Sequence, residues 1–154
     1  MIKTIISDCD GTLTDGKYYY TSNGRLLTTF HTYDSYATQR IKELGMKLIL
    51  ISSGTNQDIN LRRALDIGVE LLYATPGNKL DVVKGLGLNM NEVAYLGDCI
   101  DDIPLLLESA ISFCPCSSLK EVKAAADTTL ERTGGEGCLL EVLLEVIEYN
   151  KLIT

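Results

Sequence analysis

Apolar positions along this chain follow two habits: short dense runs, and longer stretches where they recur every three or four residues. Dense runs bounded by turn residues read as buried strands, and spaced ones as amphipathic helices. Strands are expected at 1–7, 46–51, 69–73 and 92–96, with shorter ones at 110–113 and 128–130. Helices are expected at 34–44, stopped by Gly45, and at 56–65, ending near Gly68. Pro76-Gly77 opens another that runs to about residue 86, and further helices are expected at 103–109, 118–126 and 136–150. The stretch 17–30 breaks this rhythm: Tyr18, Tyr19 and Tyr20, then Thr21-Ser22-Asn23-Gly24, then Leu26 to Phe30. Aromatic and β-branched residues on either side of Asn-Gly predict a hairpin.

Strand and helix otherwise alternate, which is the pattern of a parallel sheet covered on both faces. The expected fold is α/β: a three-layer, Rossmann-like parallel sheet with a protruding β-hairpin. No repeat, low-complexity tract or linker divides the chain, so residues 1–154 are expected to form one domain. In such sheets ligands gather at the carboxyl ends of the strands.

Composition narrows the setting. With 45% apolar and 23% charged residues the chain has the make-up of a globular protein. No run approaches the length needed to span a bilayer, and the first residues lack a signal-peptide layout. Five cysteines, an odd number with no export signal, point to reduced thiols in the cytoplasm. A formal charge of −7 argues against a nucleic-acid partner. An acidic chain that handles an anionic substrate needs a cation between the two.

The candidate chemistry begins where the first strand ends. Residues 5–16 read I-I-S-D-C-D-G-T-L-T-D-G, and the alternation of a strand sends Asp8 and Asp10 the same way. Two like charges at the end of a buried strand repel and resist desolvation, so something must offset them. The second strand is followed by Ser53-Gly54, the fourth by Gly97-Asp98 with Asp101 and Asp102, and Lys79 opens the helix after the third. In a parallel sheet these groups converge on one edge. Several carboxylates in one cleft make a hard-oxygen site suited to Mg²⁺, which would keep both aspartates ionised. Ser53 and Lys79 are suitable donors to phosphoryl oxygens. Asp8 can attack phosphorus, and Asp10 can protonate the leaving oxygen and then take a proton from water.

Asp8-Cys9-Asp10-Gly11-Thr12-Leu13-Thr14, Ser53, Lys79 and Gly97-Asp98-Cys99-Ile100-Asp101-Asp102 resemble the four ordered motifs of the haloacid dehalogenase superfamily. The resemblance implies that Asp8 is the nucleophile and Asp10 the acid and base. It implies Mg²⁺ held by Asp8, the Asp10 carbonyl and Asp98, with Asp102 in support. About 45 residues separate Asp8 from Ser53 and about 25 separate Ser53 from Lys79, which leaves no room for a cap domain. That layout resembles the capless sugar-acid phosphatases, which act on 3-deoxy-D-manno-octulosonate 8-phosphate or on nonulosonate 9-phosphates. It is also similar to the C-terminal part of some acylneuraminate cytidylyltransferases. Such proteins are tetramers whose hairpins close into a barrel, so the resemblance implies a homotetramer and a phosphorylated sugar acid as substrate. Carried over, the loop of His31, Thr32, Tyr33, Asp34 and Ser35 should face that substrate, as should Ser53, Gly54, Thr55, Arg63 and Lys79 together with Asp10. Two specificity marks differ: octulosonate enzymes usually show arginine where this chain has Thr55, and Asn-x-x-Asp-Gly where it has His31 to Ser35. Some nonulosonate enzymes carry glutamate at the Thr55 position, and Asp34-Ser35 leans to that side.

Plainer readings compete at several positions. Ser52 rivals Ser53, and Lys84 rivals Lys79. Asp101 reads as an N-cap, His31 as a structural residue, and Arg63 as half of a solvated pair with Arg62. Cys114-Pro115-Cys116 has poor spacing for zinc. The alternative to an enzyme is a non-catalytic or weakly active tetramerisation module. Intact Asp8, Asp10, Lys79 and Asp98 argue against it.

Overall fold

The computed structural model describes residues 1–54 and 57–153. Eight strands and six α-helices are described: β1 (Thr4–Asp8), β2 (Tyr19–Thr21), β3 (Gly24–Leu27), α1 (Thr32–Glu43), β4 (Lys47–Ser52), α2 (Gln57–Ile67) and β5 (Glu70–Tyr73) form the first half. The second half comprises α3 (Lys79–Lys84), β6 (Val93–Leu96), α4 (Ile103–Glu108), β7 (Ile111–Cys114), α5 (Lys120–Ala125), β8 (Thr128–Thr129) and α6 (Cys138–Leu152). Strands β5, β4, β1, β6, β7 and β8 lie side by side in that order, parallel throughout. This is the expected three-layer sheet.

Alternation along the strands divides the core in two. Ile5, Leu48, Leu50, Ala94, Leu96 and Phe113 face one side, against Ala37 and Ile41 of α1, Ala64 of α2 and Leu139, Val142 and Val146 of α6. Ile6, Ile49, Ile51, Tyr95 and Cys114 face the other, against Val83 of α3, Leu105 and Leu106 of α4 and Val122 of α5. A strand buried on both faces is apolar at nearly every position, which is why these runs are dense. The chain runs outward from β1 through β4 to β5 and then returns to β6 on the other side of β1. Such a reversal opens a crevice at the carboxyl ends of β1 and β6.

The hairpin forms a separate two-stranded ribbon. Thr21 pairs with Gly24, so Ser22-Asn23 form the tip instead of the expected Asn23-Gly24. Helix α3 starts later than its sequence suggests. Gly77 takes φ +85°, and Thr75 and Asn78 bond each other through Asn78 N–H to the Thr75 carbonyl and Thr75 N–H to Asn78 Oδ1. Pro76-Gly77 is therefore the turn before the helix, and Lys79 becomes its first residue. Gly137 at φ +83° likewise delays α6 to Cys138.

Candidate active site

Beyond Asp8 the chain turns sharply on itself. The N–H groups of Thr12, Leu13 and Thr14 all donate to the Cys9 carbonyl, and Thr14 Oγ1 accepts from the N–H groups of Gly11 and Gly16. Thr12 Oγ1 donates to the Asp8 carbonyl. Gly11 takes φ +90°, and a Cβ there would stand 2.0 Å from Asp98 Oδ2. Only glycine lets the Asp98 carboxylate lie directly over this loop. The apolar strand thus delivers Asp8 to the crevice, and the two threonines fix the loop that carries Asp10.

Lys79 reaches this loop from α3. It is 1% exposed, and its ammonium donates to Asp8 Oδ1 at 2.6 Å and to Asp102 Oδ1 at 2.7 Å. Lys84, its rival in sequence, lies half exposed and pairs with Glu108. Asp102 is fully buried and accepts four hydrogen bonds: Lys79 and the Tyr95 hydroxyl at Oδ1, the N–H groups of Asp98 and Cys99 at Oδ2. Those bonds saturate it. It orients Lys79 and the Asp98 backbone, so any support it gave a metal would be indirect. Cys99 caps a short 3-10 turn (Ile100–Asp102) in which Asp102 returns the reciprocal bond, and the N-cap of α4 falls at Asp102, one residue beyond the expected Asp101. Sequence reasoning passed over Tyr95 altogether, since an aromatic residue in a buried strand gives no sign that its hydroxyl is engaged.

Charge in this cluster does not balance. Asp8, Asp98 and Asp102 converge on one ammonium. Burial pushes the Asp8 carboxyl well up, the Asp102 charge pushes it further, and Lys79 only partly opposes them. Burial, then the charge of Asp102, raises Asp98 to about 6. Burial also opposes the charge of Asp102, but Lys79 and the hydrogen bonds outweigh it and hold that carboxyl below the usual range. On Lys79 the same burial is overcome by Asp8 and Asp102, which push its pKa up and keep it protonated. Asp98 Oδ1 is buried with no hydrogen-bond partner among the described residues. An orphaned carboxylate oxygen beside a charge deficit fits a divalent cation. Among the described residues, Asp98, Cys99 and Asp102 bring ligand atoms within 4.8 Å of one another. Burial raises the Cys99 thiol to about 12, so the donors suited to a metal are carboxylate oxygens.

Other expected site residues occupy the rim. Asp10 is half-buried, with Oδ2 3.3 Å from the Asn60 side-chain nitrogen, and a Cβ on Gly54 would stand 2.8 Å from that oxygen. Ser53 is half-buried two residues beyond Ile51, the register partner of Asp8, whereas Ser52 is buried and accepts from Asn60. Thr55 lies outside the described residues. His31 is the N-cap of α1, its Nδ1 accepting from Tyr33 N–H, so Thr32, Tyr33, Asp34 and Ser35 form the first helical turn and not a loop. Arg63 is no solvated half-pair: its guanidinium donates to the His31 carbonyl and Ser35 Oγ and lies over Phe30. Asp34 is 1% exposed and directs Oδ1 to Leu139 N–H at the start of α6. Burial raises its carboxyl to about 7. Cys114 and Cys116 are free thiols.

The acid that ends β1, with Lys79 and Asp98 beside it, has the layout that the haloacid dehalogenase resemblance implies. No protein-family model matches the chain. A 3-deoxy-D-manno-octulosonate 8-phosphate phosphatase of Haemophilus influenzae is 31% identical over 145 residues, spanning 92% of this chain and 80% of that protein. The Escherichia coli K12 enzyme of the same name is 28% identical over 145 residues. The cobalt-bound Haemophilus influenzae phosphatase superposes with a TM-score of 0.85 at 28% identity, over 96% of this chain and 88% of the other. The Moraxella catarrhalis phosphatase, in complex with magnesium, phosphate and the sugar acid, gives 0.86 at 26% identity, over 96% and 86% of the two chains. The chain belongs to the 3-deoxy-D-manno-octulosonate 8-phosphate phosphatase family, a branch of the haloacid dehalogenase phosphatases.

Proposed function

We propose that this protein is a magnesium-dependent phosphomonoesterase that hydrolyses a phosphorylated 3-deoxy sugar acid through an aspartyl-phosphate on Asp8. Octulosonate 8-phosphate is the first candidate because of the relatives; a nonulosonate 9-phosphate is the other. The observation that carries the reading is the buried Asp8–Lys79–Asp102 chain at 2.6 and 2.7 Å, with Asp98 beside it and Asp10 on the same loop. Magnesium, held by Asp8, the Asp10 carbonyl and Asp98, would supply the positive charge that the three carboxylates lack.

In this reading an Asp8 oxygen forms a bond to phosphorus while the bond from phosphorus to the sugar oxygen breaks. Asp10 gives its proton to that leaving oxygen. Asp10 then takes a proton from water as the water oxygen attacks phosphorus, releasing phosphate and restoring the Asp8 carboxylate. Lys79 and the Ser53 hydroxyl hold phosphoryl oxygens. Capless, residues 1–154 act as one domain, and the ribbon joins four copies. Tyr18, Tyr19 and Tyr20 are 44%, 40% and 64% exposed on a two-stranded ribbon, which is marginal by itself. Five free cysteines fit a reducing, cytoplasmic setting.

The test is phosphate release with Mg²⁺ from a panel of octulosonate 8-phosphate, nonulosonate 9-phosphates and simpler alkyl phosphates. Asp8→Asn serves as the blank and is expected to lower turnover at least about a thousandfold while keeping its helical circular dichroism. Asp8→Asn turning over at the wild-type rate would remove Asp8 as nucleophile. Slow, indiscriminate hydrolysis by the wild type would leave assembly as the protein's main task.

A further inference from the structure

Helix α2 presents its buried face through Ala64 and, one turn earlier, through Asn60, which is 1% exposed. A fully buried amide on the apolar side of a helix calls for a reason. Its Nδ2 stands 3.3 Å from Asp10 Oδ2 and 3.2 Å from Ser52 Oγ. The nitrogen end of the amide faces Asp10 and donates to Oδ2. The two hydrogens of that nitrogen divide between the two oxygens. Ser52 Oγ is in turn 3.4 Å from the Gly54 N–H, and Gly54 is the residue whose missing Cβ leaves room for Asp10. Asn60 thus ties the end of β4 to the carboxylate above it.

We infer that Asn60 is the positioning residue for Asp10: by holding Oδ2 it sets the rotation of the carboxylate, and so the direction in which the proton reaches the leaving oxygen. This rests on the reading of Asp10 as the acid and base. An amide suits the task because it orients the carboxylate without adding a charge to a crevice that already lacks balance. A leucine of similar size would fill the same space and orient nothing.

The consequence concerns leaving groups. An alkoxide needs a proton as it departs, whereas p-nitrophenolate leaves without one. Formation of the aspartyl-phosphate from p-nitrophenyl phosphate should therefore ignore the aim of Asp10, and its formation from the best alkyl phosphate of the panel above should depend on it. The ratio kcat/KM reads this first step alone, whereas the later attack of water needs Asp10 whatever the substrate. Asn60→Leu is expected to lower kcat/KM on the alkyl phosphate at least about tenfold, with kcat/KM on p-nitrophenyl phosphate within about threefold. Asp10→Asn should show the same selectivity, more strongly. If Asp10→Asn is selective and Asn60→Leu affects both substrates equally or neither, the role of Asn60 is overturned and that of Asp10 stands. If Asp10→Asn shows no selectivity, the reading of Asp10 fails and the inference with it. Should Asn60→Leu fail to fold, Asn60→Ala is judged by the same ratio of losses.

Discussion

The crevice at the end of β1 and the ribbon that follows it come from adjacent sequence and are built by opposite means. In the crevice, Lys79, Asp102 and Tyr95 are wholly buried and bond one another, and the backbone of Asp98 and Cys99 completes the set. In the ribbon, β2 and β3 pair only with each other, and the rings of Tyr18 and Tyr20 meet edge to face at 6.5 Å beneath an arginine, with Arg25 4.0 Å above the Tyr18 centroid. The crevice carries its own polar partners. The ribbon leaves aromatic surface in water, which the proposed joining of four copies would cover. One region is tuned by internal electrostatics, the other, on that proposal, by association.

That contrast can be broken at several strengths. Removing the central cation should hurt most: Lys79→Met leaves Asp8 and Asp102 buried without their partner and should cost about 3–5 kcal/mol in urea unfolding, together with most turnover. Replacing Tyr18 and Tyr20 by serine should instead leave the unfolding midpoint of the separated chain nearly unmoved and lower the mass seen by light scattering. If that double variant melts like Lys79→Met, the ribbon belongs to the core and the contrast is wrong.

Asp34 gives a smaller, pH-dependent effect. Its folded carboxyl titrates near 7 against an ordinary 3.8, so the folded state binds the extra proton between those values. Stability contributed by the protonated form is full below 3.8 and is lost as pH rises through 7. Asp34→Asn should therefore gain up to about 4 kcal/mol over the parent between pH 4 and pH 8, read as a widening gap in melting temperature. A gap that narrows with pH would overturn this account. The least effect is expected from Lys84→Ala, whose half-exposed pair with Glu108 is worth about 0.5 kcal/mol or less, with turnover unchanged.

These effects also mark how far the sequence could be read. Dense apolar runs located β1, β4, β6 and β7, because a strand buried on both sides has little choice of residue type, whereas the edge strands β5 and β8 are partly exposed and β8 is two threonines. Asp8, Lys79 and Asp98 were legible from their places after those runs. Helix starts were less so: Pro76-Gly77 carries signals of both a turn and a helix opening, and only the reciprocal bonds of Thr75 and Asn78 decide for the turn. The first turn of α1 was read as a loop because histidine is an uncommon cap, and its ring nitrogen does the work of a serine hydroxyl. Asn60 and Tyr95 went unnoticed because their roles depend on what lies across the fold. One signal did exist for Asn60: a polar residue one turn from Ala64 on an otherwise apolar stripe.

The segment Gly134-Gly135 lies against the loop after β1 so closely that a Cβ on Gly134 would stand 2.0 Å from the Gly11 carbonyl oxygen, and Gly135 N–H donates to the Thr12 carbonyl. A chain still emerging from the ribosome that stops short of Gly134 already contains every acid of the crevice, yet lacks the backbone that packs against their loop. The loop that carries Asp10 is thus made early and reaches its final packing late.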